Sequence, residues 1–164
     1  MKPLLLVDGY NVIGAWGEAQ RAGWPLDECR DRLVSRLEDY AGYTGQEVWA
    51  VFDGYRAQRP LHTVDRRAGV TVVFTRQGET ADRFIERMCH MHGRLREVRV
   101  ASSDGVEQTI ALGRGATRLS ARELWGEMAR APSLSPAQPA GRTSLSAALS
   151  AQQYAELDKL RRQK

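Results

Sequence analysis

Three apolar runs in this chain each end in an Asp-Gly pair. They lie at residues 4–9, 48–54 and 98–105. Short continuous apolar runs are typical of strands that are buried on both faces of a parallel sheet. The carboxyl ends of parallel strands meet at one edge, and open α/β sheets bind their ligands there. The pattern therefore predicts that Asp8, Asp53 and Asp104 gather at that edge.

The predicted elements follow the order of an α/β protein. Strands are expected at residues 4–7, 48–52, 70–74, 98–101 and about 116–119, and amphipathic helices at about 27–41, 80–91, 106–111 and 120–130. The glycine-rich residues 9–25 are expected to form a loop with one helical turn at most, and the arginine-rich residues 54–69 to be irregular. Because helices connect most of the strands, the sheet is predicted to be mostly parallel, with four to five strands.

Capping residues mark the ends of several predicted helices. Asp27, Thr80 and Ser120 are typical N-cap residues, and Ser120 opens a Ser-x-x-Glu capping box. Gly42 and Gly45 are expected to end the helix that begins at Asp27.

Composition divides the chain into a domain, a linker and a tail. Residues 1–131 contain all the predicted strands and are expected to form one domain. Residues 132–149 are rich in Pro, Ser and Ala, which is linker composition. Residues 150–164 are predicted to form a basic C-terminal helix.

The net charge of +4 is unevenly distributed, with −2 over residues 1–60 and +6 over residues 61–164. A basic excess in the second half suits a polyanionic partner such as RNA. Arginines that merely solvate a surface would give the same excess, so charge alone leaves the partner open.

Cysteine usage and hydropathy bear on the compartment. Cys29 and Cys89 form no CxxC pattern, and no secretory signal pattern is present. No run approaches the roughly 20 apolar residues that a membrane span requires. We expect a cytoplasmic protein with reduced thiols and no membrane association.

A fourth carboxylate joins the predicted edge, because Asp82 opens the helix that follows the strand at 70–74. Two carboxylates about 5 Å apart repel by roughly 3 kcal/mol at an effective dielectric constant of 20, so such a cluster favours a bound cation. Oxygen ligands without a Cys/His pattern favour Mg²⁺ or Mn²⁺. Asp8 and Asp82 are the first candidate ligands, with Asp53 and Asp104 as ligands or as bases that orient water. Such a site can hydrolyse a phosphodiester bond and leave a 5′-phosphate and a 3′-hydroxyl.

Each of these residues also has a purely structural interpretation. Asp-Gly is a hairpin signal, and this alternative stays open at Asp8. Asn11, the only asparagine of the chain, could turn its amide toward a metal-bound water, a phosphate or a neighbouring acid, or it could be a turn residue. His90 and His92 do not share a helix face, so they are expected to be surface histidines and not metal ligands.

The motifs together resemble the YacP-like branch of the NYN-domain ribonucleases. The matching segments are VDGYNVI at 7–13, VFD at 51–53, FT and ETAD within 74–82, SSD and EQ within 102–108, and SAREL at 120–124. The resemblance covers about residues 1–131. It implies a Rossmannoid, PIN-like fold in three layers and a metal-dependent endoribonuclease. It also implies a role in mRNA turnover, with the translating ribosome as a partner of some members.

The resemblance carries the catalytic cluster onto Asp8, Asn11, Asp53, Asp82 and Asp104. It implies Mg²⁺ or Mn²⁺ and no nucleotide cofactor. Three further residues are expected beside the ligands and not on the metal: Glu79, Ser103 and Glu107.

Basic side chains near the predicted edge are candidates for contacts with RNA phosphates. They are Arg56, Arg59, Arg66, Arg67 and Arg76 in the loops, and Arg118 and Arg122 beside the start of the last helix. Tyr10, Trp16 and Tyr55 could stack on a base or could pack in the core or a loop.

Two other functions remain compatible with the sequence. An RNA- or ribosome-binding adaptor would use the same surface without independent catalysis. A phosphatase of the Asp-x-Asp type would need a second acid where this chain has Tyr10.

Overall fold

The computed structural model describes residues 1–54, 63–76, 78–102 and 116–131. The strands are β1 (Leu4–Asp8), β2 (Glu47–Phe52), β3 (Thr63–Arg67), β4 (Val70–Phe74), β5 (Val98–Ser102) and β6 (Ala116–Ser120). The helices are α1 (Gly9–Gly14), α2 (Gly17–Ala22), α3 (Leu26–Thr44), α4 (Ala81–His92) and α5 (Ala121–Arg130).

The described strands form one sheet in the order β3-β4-β2-β1-β5-β6. All neighbouring pairs are parallel except β3 and β4. The prediction of an α/β fold with a mostly parallel sheet is confirmed, although the described part has six strands and not four to five. The chain builds outward from β1 to β2 and β4, and then crosses to β5 on the other side of β1. This reversal makes the carboxyl end of β1 the switch point of the sheet.

Helices cover both faces of the sheet and make three layers. Leu5 and Val7 of β1 face the side covered by α1, α3 and α5, whereas Leu4 and Leu6 face the side covered by α4. Because side chains alternate along a strand, Asp8 falls on the α4 side. The register of β1 thus directs its last residue toward the start of α4.

The predicted loop at residues 9–25 is wrong, because α1 and α2 occupy most of it. Val12, Ile13 and Ala19 are buried against the main core, and this packing outweighs the low helix propensity of the glycines. The next helix, α3, begins after Pro25, with Asp27 in its first turn and not at its N-cap.

The other predicted helix ends are mostly confirmed. The helix α3 runs past Gly42 and ends at Gly45, which has a φ of 73°. The Thr80 hydroxyl accepts a hydrogen bond from the Arg83 N–H at 3.2 Å, and the Ser120 hydroxyl accepts one from the Glu123 N–H at 3.0 Å. These two residues cap α4 and α5 as the sequence predicts.

The prediction of an irregular segment at 54–69 is wrong over residues 63–67. These residues form β3, which pairs antiparallel with β4 through a two-residue turn that ends in Gly69 at a φ of 78°. A polar edge strand shows no continuous apolar run, and the turn glycine was the remaining signal. The predicted helix at 106–111, the linker 132–149 and the helix 150–164 lie outside the described residues.

None of the helices in the described ranges has the length and hydrophobicity to span a lipid bilayer.

Candidate active site

Two of the predicted acids meet at the carboxyl edge of the sheet. Asp8 is the last residue of β1, and Asp82 lies in the first turn of α4. Their carboxyl groups lie close enough for Asp82 to raise the pKa of Asp8. Asp8 is buried, with only 5% of its surface exposed, whereas Asp82 is exposed. The pair therefore has one oxygen-bearing group inside the fold and one at its surface.

The environment of Asp8 disfavours a negative charge. Burial raises the pKa of Asp8 from its ordinary value of 3.8 to about 7, and repulsion by Asp82 and the hydrogen bond with it add to the rise. The backbone and side-chain amides of Asn11 act in the opposite direction. In the described residues no ion pair is found for either Asp8 or Asp82. The pair thus lacks compensation by a basic side chain there.

Asn11 lies where its amide can orient Asp8. Its Nδ2 donates a hydrogen bond to Oδ2 of Asp8 at 2.7 Å. The helix α1 starts immediately after Asp8, so a spacing of three residues returns Asn11 to the side of the acid. Gly9 permits this turn, since a Cβ there would lie 2.2 Å from Cε1 of Phe52. The hairpin alternative at Asp8 is excluded by α1.

The aromatic residues near this edge pack inside the protein. Tyr10 is 7% exposed and its ring meets Phe52 edge-on, with centroids 5.2 Å apart. Trp16 is 6% exposed and stacks on Trp125 at 4.3 Å. The structure therefore supports packing roles for Tyr10 and Trp16, and Tyr55 lies outside the described residues.

Asp53 follows β2 directly and is half-buried. The described ranges contain no group of three or more Asp, Glu, His or Cys side chains that could hold a metal ion. The predicted cluster also includes Asp104, so the role of Asp53 as a ligand or as a base that orients water stays a prediction. Asp104 lies outside the described residues, as do Ser103 and Glu107.

Glu79 faces arginines. Its Oε1 lies 2.7 Å from Nη1 of Arg87, and its Oε2 lies 4.0 Å from Nε of Arg76. Only 11% of the Glu79 side chain is exposed. Glu79 thus holds the segment before α4 by ion pairs.

Thr75 belongs to the Phe-Thr motif at 74–75, and the sequence alone indicates no role for it. It follows β4 directly, is fully buried, and accepts a hydrogen bond from the Gly54 N–H at 3.0 Å. Its hydroxyl donates to the Glu79 carbonyl at 2.8 Å. The available signal was its position, because it stands one residue beyond a buried strand, as Asp53 does.

Comparison with known proteins identifies the family. A model of the YacP-like NYN domain matches residues 5–162. The chain belongs to this family. Uncharacterized protein YacP of Bacillus subtilis (strain 168) is 37% identical over 154 residues, which covers 87% of this chain and 89% of the relative.

Solved structures support the same assignment for this YacP-like NYN domain. A crystal structure of a mutant of Rae1 (YacP) from Bacillus subtilis has a TM-score of 0.65 and 38% sequence identity, and covers 77% of this chain and 75% of that chain. A second structure of Rae1 (YacP) has a TM-score of 0.62 and 36% identity, with 77% and 73% covered. The resemblance to the family and its fold, inferred from the motifs, is confirmed.

The arginines of this YacP-like NYN domain do not all lie where the sequence suggests. Arg76 and Arg122 follow β4 and β6 and are exposed near the carboxyl edge, and Arg118 is exposed on β6. Arg66 and Arg67 pair with Thr71 and Val70, at the amino end of β4.

The prediction that Arg66 and Arg67 flank the carboxyl edge is therefore wrong, because the antiparallel direction of β3 carries them away from it. Arg67 also pairs with Asp65 at 3.1 Å. Arg56 and Arg59 lie outside the described residues.

The tract around Cys89 does not form a metal site. Cys89 is buried, and burial raises the pKa of its thiol to about 11. His90 is exposed, and Nδ1 of His92 lies 3.3 Å from Nη2 of Arg96. The prediction of a surface histidine beside a buried cysteine is confirmed at His90 and Cys89, whereas His92 is half-buried.

Proposed function

We propose that this YacP-like NYN protein is a divalent-metal-dependent endoribonuclease that hydrolyses RNA phosphodiester bonds at the Asp8–Asp82 pair. The observation that carries the proposal is the close approach of two carboxyl groups at the switch point of the sheet, with no basic partner among the described residues. Uncompensated acids at such a position are characteristic of functional sites. The family and its fold are shared with the B. subtilis relatives.

The donor atoms suit Mg²⁺ or Mn²⁺. Asp8 and Asp82 offer carboxylate oxygens, and the Asn11 amide carries a further oxygen while its nitrogen holds Asp8. Hard divalent cations prefer such ligands, and they keep several waters when the protein supplies few. A cation would also relieve the repulsion that raises the pKa of Asp8.

Each residue of the site has a proposed task. Asp8 and Asp82 hold the cation, and Asn11 keeps Asp8 in its ligating orientation. Asp53 and Asp104 would orient the attacking water. The bound cation would supply positive charge against the phosphate and acidity to a bound water. The expected products carry a 5′-phosphate and a 3′-hydroxyl.

The proposed substrate is RNA, and mRNA in particular. Arg76, Arg118 and Arg122 are exposed around the sheet end and can neutralise phosphates without reading sequence. We propose the cytoplasm as the compartment, in agreement with the free thiols of Cys29 and Cys89. The ribosome is the proposed site of substrate presentation.

The test is cleavage of a labelled single-stranded RNA by the full chain in Mn²⁺ or Mg²⁺ and in EDTA. Asp8→Asn and Asp82→Asn should each lower the rate by about 10³-fold or more, since the pair acts as a unit. Asp27→Asn is the matched control, because Asp27 is an exposed acid in the first turn of α3. It should leave the rate unchanged.

Cleavage that persists in EDTA and in both Asn variants would contradict the proposal. Mapping the product ends gives a second check, because cyclic phosphates at the 3′ end would indicate attack by the ribose hydroxyl in place of water.

A second candidate is an RNA- or ribosome-binding adaptor without independent catalysis. It is favoured by the finding that the described residues contain a pair of acids and no group of three that could hold a metal. If the purified protein sediments with ribosomes but does not cut naked RNA at any Mn²⁺ concentration, this candidate is preferred. Ribosome-dependent cleavage that requires Asp82 would restore the nuclease.

A further inference from the structure

Thr75 buries a hydroxyl group between two loops at the carboxyl edge. It is completely shielded from solvent, directly after the last residue of β4. A buried hydroxyl is costly unless it is hydrogen-bonded, and this one is satisfied twice. It accepts from the Gly54 N–H at 3.0 Å and donates to the Glu79 carbonyl at 2.8 Å.

These two bonds join segments that carry different acids. Gly54 is the neighbour of Asp53. Glu79 directly precedes Thr80, which is the N-cap of α4 and lies two residues before Asp82. The backbone N–H of Thr75 also donates to the Phe52 carbonyl at 2.9 Å, which extends the pairing of β2 and β4 by one residue. One side chain therefore links the ends of β2 and β4 to the start of α4.

The position of α4 needs such a link because its first turn brings Asp82 against Asp8. The apolar residues Phe84, Ile85 and Met88 anchor the body of the helix on the sheet. Ala81 anchors the first turn as well, but repulsion between the carboxyl groups of Asp82 and Asp8 would displace that turn outward. The hydrogen bond from Thr75 to the Glu79 carbonyl opposes that displacement.

We propose that Thr75 is the positioning residue of the acid pair: its hydroxyl sets the distance between Asp82 and Asp8, and it also fixes the start of the loop that carries Asp53. The inference rests on the proposed function for its catalytic consequence. The structural link itself is independent of that function. Partners behind metal ligands typically change metal affinity or activity by about 10- to 100-fold when they are removed.

The experiment compares Thr75→Val, which keeps the shape and removes both hydrogen bonds, with Thr75→Ser, which keeps the hydroxyl. Tyr40→Phe is the matched control, since it removes one buried hydroxyl bond, to Glu127, in the second half of α3. Four quantities are measured for the full chain: the melting temperature, the Mn²⁺ concentration that gives half of the maximal thermal stabilisation, and kcat and KM for RNA cleavage.

We expect Thr75→Val to raise the half-saturating Mn²⁺ concentration and to lower kcat, each by about 10-fold or more, with little change in KM for RNA. Thr75→Ser should restore both values to within about threefold of wild type. Tyr40→Phe should lower the melting temperature by a similar amount without changing either value.

A Thr75→Val variant that melts earlier but keeps wild-type Mn²⁺ dependence and kcat would overturn the inference and leave the nuclease intact. Failure of Thr75→Ser to restore the values would overturn it as well. If the wild type neither binds Mn²⁺ nor cleaves RNA, the proposed function fails and the inference fails with it. These outcomes separate a structural hydroxyl from one that positions the acids.

Discussion

Asp8 and Glu127 are two acids partly or fully removed from solvent, and their pKa values are shifted in opposite directions. Glu127 of α5 accepts hydrogen bonds from the Tyr40 hydroxyl at 2.5 Å and from Nη2 of Arg99 at 2.9 Å. Burial favours its neutral form, but these bonds and the charge of Arg99 outweigh burial and lower the pKa of Glu127. Asp8 is more deeply buried and has an amide and a second acid beside it, and its pKa is raised to about 7.

The opposite pKa shifts reflect different partners, and those of Glu127 stabilise the fold. The Tyr40–Glu127–Arg99 cluster joins α3, β5 and α5. Tyr40 and Arg99 donate hydrogen bonds, and the Glu127 carboxylate accepts both. Such a network stabilises the folded state because no buried polar group is left without a partner. At Asp8 no basic side chain among the described residues compensates the charge of the carboxylate. Violations of this kind are expected where a ligand completes the site.

The largest test of this contrast is the substitution Asp8→Asn in the absence of metal. A shift in the pKa of Asp8 from 3.8 to about 7 corresponds to about 4 kcal/mol against the ionised form. Above pH 7 we expect Asp8→Asn to unfold with a free energy about 2–4 kcal/mol higher than the wild type in EDTA. Denaturant unfolding at fixed pH measures this difference.

The pH dependence of that difference has a defined sign. The raised pKa means that the folded state holds the proton of Asp8 after the unfolded state has lost it. The contribution of Asp8 to stability is therefore complete below pH 3.8 and is lost as the pH rises through about 7. Asp27→Asn serves as the control. A wild type as stable as Asp8→Asn at pH 8 without metal would remove the contrast with Glu127.

The sequence predicts the acid pair because two independent rules place it. Strand periodicity brings Asp8 to the end of β1, and helix capping at Thr80 puts Asp82 into the first turn of α4. The switch-point rule then brings those two ends together. Asp53 obeys the strand rule as well, but its distance from the pair depends on the course of the chain after β2. Strand periodicity does not determine that course.

Other parts could not be predicted from local patterns. The members of the Tyr40–Glu127–Arg99 cluster come from distant segments, and no spacing in the sequence distinguishes them from surface residues. The strand β3 was missed because one face of an edge strand can remain polar, so apolar periodicity is absent. The helices α1 and α2 depend on tertiary burial of Val12, Ile13 and Ala19.

Glu127→Gln should have an intermediate effect with the opposite sign to Asp8→Asn. Removing the charge weakens the hydrogen bond from Arg99 and leaves this half-buried cation without its counter-ion. We expect a loss of about 1–2 kcal/mol in the free energy of unfolding at pH 7. Because the folded pKa of Glu127 is lowered, its contribution is present above its ordinary value of 4.5 and is lost as the pH falls through the folded pKa.

The control for Glu127→Gln is Glu86→Gln, an exposed acid on α4 whose loss should change stability by less than about 0.5 kcal/mol. Equal effects of the two substitutions would show that the cluster does not stabilise the fold.

Tyr40→Phe should have the smallest effect of the three. The ring keeps its packing on the buried face of α3, and Glu127 keeps its ion pair with Arg99 at 2.9 Å, so only one hydrogen bond is lost. We expect a loss of about 1 kcal/mol, measured by denaturant unfolding at pH 7. Combined with Glu127→Gln, the losses should be less than additive, because both substitutions change the same hydrogen-bonded cluster. Full additivity would mean that Tyr40 and Glu127 stabilise the protein separately. The hydrogen bond between them would then not explain why the pKa of Glu127 is lowered whereas that of Asp8 is raised.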